Sequence, residues 1–302
     1  MRIVKVNKDS IANILSDLLK RSPTNYGDFQ DKVDAIIKNV RDNGDKAVFD
    51  YTAQFDKAEI NAENILVTEE EIKEAYEEVD DELIKVIRKA IKNIRDFHEK
   101  QIQKSWFETR EDGVMLGQKV TPMETCGVYV PGGKAVYPSS VLMNIVPAHV
   151  AGVKNIIMTT PPGKDGKVTA NTLVAAKEAG ATKVYKVGGA QAIAAMAFGT
   201  ESIPKVDKIV GPGNIFVALA KKAVYGNVSI DSIAGPSEIL VLADETANPR
   251  YVAADLLSQA EHDEMASAIL VTTSEELAHK VSDEIDGFLN QLSRKEIMEK
   301  SR

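Results

Sequence analysis

The stretch KVYKVGGAQAIAAMAF, residues 183–198, holds the clearest structural signal in the chain. Lys183 to Val187 is a run of strand length, Gly188-Gly189 stops it, and Ala190 to Phe198 continues as a helical pattern. A strand, a glycine turn and a helix in that order make half of a parallel βαβ unit. The same alternation repeats on either side. Upstream, Thr125 to Val130 and Asn155 to Met158 read as strands, and Thr169 to Ala179 as a helix closed by Gly180. Downstream, Lys208 to Val210, Val228 to Ile230, Glu238 to Ala243 and Ile269 to Thr272 read as strands. Asn214 to Tyr225, Pro249 to Glu264 and Glu275 to Leu292 read as helices. Short loops between such elements predict an α/β fold with parallel sheets.

The N-terminal third has a different texture. The first 110 residues read as almost wholly helical. Phe29, Val33, Ile36, Ile37 and Val40 form an apolar stripe that ends near Gly44. Thr68 with Glu71 forms a capping box, and Leu83 to Phe97 carries a second stripe. Val114 to Val120 is predicted as a strand. There is no low-complexity segment and no convincing sequence repeat.

Composition narrows the function classes. The 302 residues are 44% hydrophobic and 27% charged, with a net charge of −8. That is the balance of a globular protein, and it lacks the basic stripe a nucleic-acid binder needs. No apolar stretch is long enough to span a membrane, and the chain opens without the apolar core of a signal peptide. A single cysteine, Cys126, rules out an intrachain disulfide and suits a reducing cytoplasm.

Four glycine-rich loops follow predicted strands: Gly127 to Gly133, Gly188-Gly189, Gly211-Pro212-Gly213-Asn214 and Gly235-Pro236-Ser237. Each taken singly reads as a tight turn, and none is a GxGxxG or a Walker loop. Four in 110 residues predict a ligand cleft at the carboxyl ends of the strands. Gln259 and His262 lie three apart on one predicted helix face, a spacing compatible either with a metal site or with a solvated helix end. His98 and His279 read as solvated, and His149 as a core or cleft residue. Cys126 has no cationic neighbour in sequence and reads as a buried, inert thiol.

Taken in order, Gly127-Val128-Tyr129-Val130-Pro131-Gly132-Gly133, Gly188 to Ala194, Gly211 to Asn214, Ala234 to Glu238 and Gln259 to His262 resemble the histidinol dehydrogenase family. The resemblance implies NAD- and zinc-dependent oxidation of histidinol through histidinal to histidine. It matches Tyr129, Gln191 and Asn214 to NAD-contacting positions. Ser237, Gln259 and His262 match substrate-contacting positions, Gln259 and His262 also being zinc ligands. It further implies two incomplete Rossmann-like domains, 26–128 with 239–302 and 129–238, beside a helical arm over 1–25. The family's catalytic Glu-His pair and its remaining zinc ligands match no residue up to Arg302. The expectation is therefore a C-terminally truncated form, without catalytic residues of its own and inactive alone, of a protein that is a cytoplasmic homodimer at full length. Other readings remain open at this point. One is a non-catalytic NAD-binding fragment. Another is a two-domain NAD-dependent dehydrogenase working through a reactive Cys126.

Overall fold

The computed structural model describes residues 2–7, 11–13, 16, 27–132, 138–233, 238–261 and 266–292. Contacts divide the chain into two compact units, residues 27–233 and residues 1–26 with 234–302. Both have the α/β character with parallel sheets read from the sequence, and residues 11–13 and 16 are helical, as expected of the N-terminal segment.

The larger unit is built on a five-stranded parallel sheet. Its strands are β3 (Thr125–Tyr129), β4 (Asn155–Thr160), β5 (Lys183–Lys186), β6 (Lys208–Val210) and β7 (Ser229–Ile230), in the order β5-β4-β3-β6-β7. Sequence order reverses beside β3, so the switch point falls between β3 and β6. The strands are near-continuous apolar runs because both faces are covered. On one side lie α4 (Pro138–Val150) and α5 (Ala170–Ala179), packed under α3 (Asp81–His98) and α2 (Glu69–Glu78). On the other, α6 (Gly189–Phe198) and α7 (Ile215–Val224) pack against α1 (Gly27–Phe55). The N-terminal helices thus cluster with the sheet, whereas the family resemblance groups 26–128 with 239–302.

Helix α1 buries Val33, Ile36, Ile37 and Val40 at the predicted spacing. Its first half ends at Gly44, as the sequence indicates, with φ +56. A second helical half then runs to Phe55. The Glu201 carboxylate caps that half by accepting the Asp45 N–H at 2.8 Å. Asp45 in turn accepts hydrogen bonds from the Ser202 hydroxyl at 2.5 Å and the Ser202 N–H at 3.3 Å. A Cβ on Gly44 would lie 2.4 Å from Glu201 Oε2, so glycine both bends the chain and makes room for the cap.

One expectation is corrected. Trp106–Thr109 is a strand (β1), not helix, and it pairs antiparallel with β2 (Met115–Gln118). Every residue of this hairpin is exposed, so no burial pattern marks it. Helix α4 has no clear sequence signature because Pro138 opens it and Pro147 lies inside it. The edge of β5 is covered rather than open. Val67 N–H donates to Val184 O, and Lys186 N–H to Ile65 O.

The smaller unit holds a two-stranded parallel sheet of β8 (Glu238–Ala243) and β9 (Ser267–Thr272), packed on α8 (Pro249–Ala260) and α9 (Glu275–Leu289). Asn248 caps α8 and Ser274 caps α9. Helix α8 ends at Ala260, short of the predicted Glu264, and residues 262–265 lie outside the described residues.

Candidate functional site

Four loops leave the carboxyl ends of β3, β4, β5 and β6, and glycines let them meet. A Cβ on Gly132 or on Gly188 would come within 2.5 Å of the Pro161 ring that follows β4. A Cβ on Gly211 would lie 2.0 Å from the Tyr129 carbonyl oxygen, and φ there is +117. The Gly211-Pro212-Gly213 turn after β6 therefore lies directly against the end of β3, at the switch point of the sheet.

Tyr129 ends β3 and is 3% exposed. Its hydroxyl accepts the backbone N–H of Gly189, at the first turn of α6, at 3.2 Å. Burial pushes its phenol up to about 12, so it stays neutral. Gln191, two residues into the same helix, is 1% exposed, and neither its amide nitrogen nor its carbonyl oxygen has a hydrogen-bond partner. Its Oε1 lies over Gly189, where a Cβ would stand 2.6 Å away. A buried amide with both ends open fits a site that takes a polar ligand. Asn214 is the N-cap of α7, its Oδ1 accepting the N–H groups of Phe216 at 3.1 Å and Val217 at 3.2 Å. The structure thus joins Tyr129 to Gln191 through Gly189, and sets the turn that carries Asn214 against Tyr129.

The other expected site residues belong to the smaller unit. Gln259 is half-buried in the last turn of α8. Ser237 and His262 lie outside the described residues. Among the described residues no three His, Cys, Asp or Glu side chains form a group that could hold a metal, so a zinc site is not assembled from them. His149 is exposed in the last turn of α4, neither core nor cleft, and its ring packs on Gly180. His98 is half-buried and bonded to Gln101, and His279 is exposed.

Two ion pairs made by buried lysines escaped the sequence reading. Lys221, 2% exposed on α7, pairs with Asp231 and donates to Gly211 O at 2.8 Å. Asp231 also accepts the Gly211 N–H at 2.8 Å. The pair therefore holds both backbone groups of Gly211. A signal for it existed: Lys221 falls on the buried stripe of Val217 and Val224, at i+4 and i−3. Lys186, at the end of β5, pairs with Glu71 of the capping box at 2.5 Å. Beside this strand end is a cavity of about 450 Å³ lined by Glu71, Glu74, Pro131, Gly132, Pro161 and Lys167. Cys126 is buried, and burial pushes its thiol up to about 11. Such a thiol is no nucleophile at neutral pH.

A parallel sheet with a switch point, glycine turns at its strand ends and a buried amide without partners defines an α/β protein with a candidate ligand site at the carboxyl ends of its strands. Comparison with known proteins is more specific. The family model described as Histidinol dehydrogenase matches residues 19–302. A histidinol dehydrogenase from Halalkalibacterium halodurans is 56% identical over 298 residues, 98% of this chain and 68% of its own length. One from Clostridium acetobutylicum is 62% identical over 263 residues, 87% of this chain and 61% of its own. The crystal structure of the enzyme from Elizabethkingia anophelis superposes with a TM-score of 0.89 at 41% identity, covering 99% of this chain and 68% of that one. The chain belongs to the histidinol dehydrogenase family, a family of oxidoreductases, and spans about two thirds of the length of these relatives.

Proposed function

We propose that the chain serves NAD-dependent oxidation of histidinol to histidine, and that residues 27–233 hold the cofactor. The observation that carries the reaction is 56% identity to a histidinol dehydrogenase along 98% of the chain. The open Gln191 amide beside Tyr129 and Gly189 supports the cofactor reading, because a ligand there would complete its hydrogen bonds. When bound, the nicotinamide supplies the hydride acceptor. The chain's part is to bind and orient. Tyr129 closes the end of β3 as a neutral surface. Gln191 offers one donor and one acceptor. Asn214 commits Oδ1 to its helix and has Nδ2 to offer a ligand.

Substrate contact by Ser237, Gln259 and His262, zinc ligation by Gln259 and His262, the homodimer, the cytoplasmic setting and the 1–25, 26–128 with 239–302, and 129–238 division are retained as proposals from the family resemblance. No helix among the described residues is long and apolar enough to cross a membrane. The alternative of a thiol-dependent dehydrogenase is disfavoured by the buried, raised Cys126.

Within these 302 residues no position matches the family's Glu-His pair, so we propose that they bind NAD without turning over histidinol. Titration calorimetry with NAD, beside an NADH absorbance assay with histidinol, NAD and zinc, tests both halves. Binding without turnover is expected. Steady NADH production would overturn the inactivity, and absence of any binding heat would overturn the cofactor site.

A further inference from the structure

Among the described residues, the buried side-chain nitrogen and oxygen atoms without a hydrogen-bond partner belong to two residues: Gln191, through Nε2 and Oε1, and Asp56, through Oδ2. Leaving such atoms open costs stability, more so for a charge, and each one in a folded protein calls for a cause. Their coincidence points to one. Asp56 follows α1 directly, and α1 packs on α6, the helix that carries Gln191. Asp45, at the start of the second half of α1, is held by Glu201 just past the C-terminal end of α6, so α1 runs back along α6 towards Gln191. Burial, with a smaller contribution from Asp56, raises the Tyr129 phenol that accepts the N–H of Gly189.

The backbone next to Asp56 is strained as well. Lys57, at φ +60, is the one residue other than glycine with positive φ among the described residues. Its ammonium donates to Gln54 O at 2.7 Å and is thereby drawn away from the carboxyl. Asp56 is thus held part-buried with one oxygen open and without a cation to offset it.

We propose that Asp56 is a further binding residue of the cofactor site, its carboxylate and the Gln191 amide together taking the hydroxyls of a ribose of the dinucleotide. This rests on the cofactor reading given above. A vicinal diol both donates and accepts. The carboxylate accepts one O–H, the Gln191 nitrogen donates to a hydroxyl oxygen, and its carbonyl accepts the second O–H. A pyrophosphate is the wrong chemistry, since a carboxylate repels it.

The test is calorimetric titration of NAD into the 302-residue chain and its Asp56→Ala and Asp56→Asn forms, with thermal midpoints measured without ligand. The expected result is NAD binding weakened about tenfold or more in both variants, the loss of a charged hydrogen bond, with midpoints equal to or above that of the parent. Equal or raised midpoints separate a binding role from a structural one. Adenosine monophosphate and nicotinamide mononucleotide then locate the ribose. A weakening with the first assigns the adenosine ribose, one with the second assigns the nicotinamide ribose, and a weakening with neither overturns the proposal. Unchanged NAD affinity, or loss of fold in both variants, also overturns it. Failure of the parent chain to bind NAD defeats the cofactor reading itself, and this inference with it.

Discussion

Asp56 also governs how stability depends on pH. Burial pushes its carboxyl up to about 6, whereas in an unfolded chain it titrates near 4. Below about pH 4 both forms hold the proton and the residue carries no charge penalty. As pH rises through 6 the folded form must ionise a part-buried group, so stability present at low pH is lost across this window. Allowing for solvent screening of a part-exposed side chain, the loss is about 1–2 kcal/mol. Urea midpoints of the parent chain and of Asp56→Asn, compared at pH 4.5 and 7, should diverge by this amount in favour of the variant. A constant difference between the two pH values would sink the assignment. Nothing in the sequence marks Asp56, because an acidic residue after a helix is ordinarily solvated. Tyr129 and Gln191 were legible only through the family resemblance, and it took the fold to show that one N–H, that of Gly189, lies between them.

Elements were legible where one local rule dominated. The Thr68–Glu71 capping box forms as written, with Glu71 accepting the Thr68 N–H at 2.9 Å. Helix α5 ends on Gly180 at φ +97. Strand β1 and helix α4 were missed because exposure erases alternation in one and proline masks periodicity in the other. The turn between β6 and α7 shows what joins elements. Lys221 from α7 and Asp231 after β7 grip Gly211 from both sides. Lys221→Met would remove the cation beside Asp231 and leave the Gly211 carbonyl without its donor. A loss of roughly 1–3 kcal/mol is expected by chemical denaturation, since the buried Gly211 carbonyl loses a charged donor. A loss under about 0.5 kcal/mol would show that packing alone holds the turn.

At the scale of the whole molecule, residues 27–233 contain every strand of the five-stranded sheet and the helices on both of its faces. The core of α8 and α9 is drawn entirely from the smaller unit. A chain cut to residues 27–233 should therefore unfold in one cooperative transition with α/β circular dichroism. A broad transition without a baseline would show that the larger unit cannot stand alone. The sequence by itself determined the α/β class, most element positions, the glycine turns at strand ends and the family, because periodicity, capping and turn chemistry act over a few residues. Only the tertiary structure decided the strand order, the packing of α1 on α6, the grip on Gly211 and the joining of Tyr129 to Gln191 through Gly189. These depend on contacts between residues far apart in the chain, and sequence spacing does not encode such contacts.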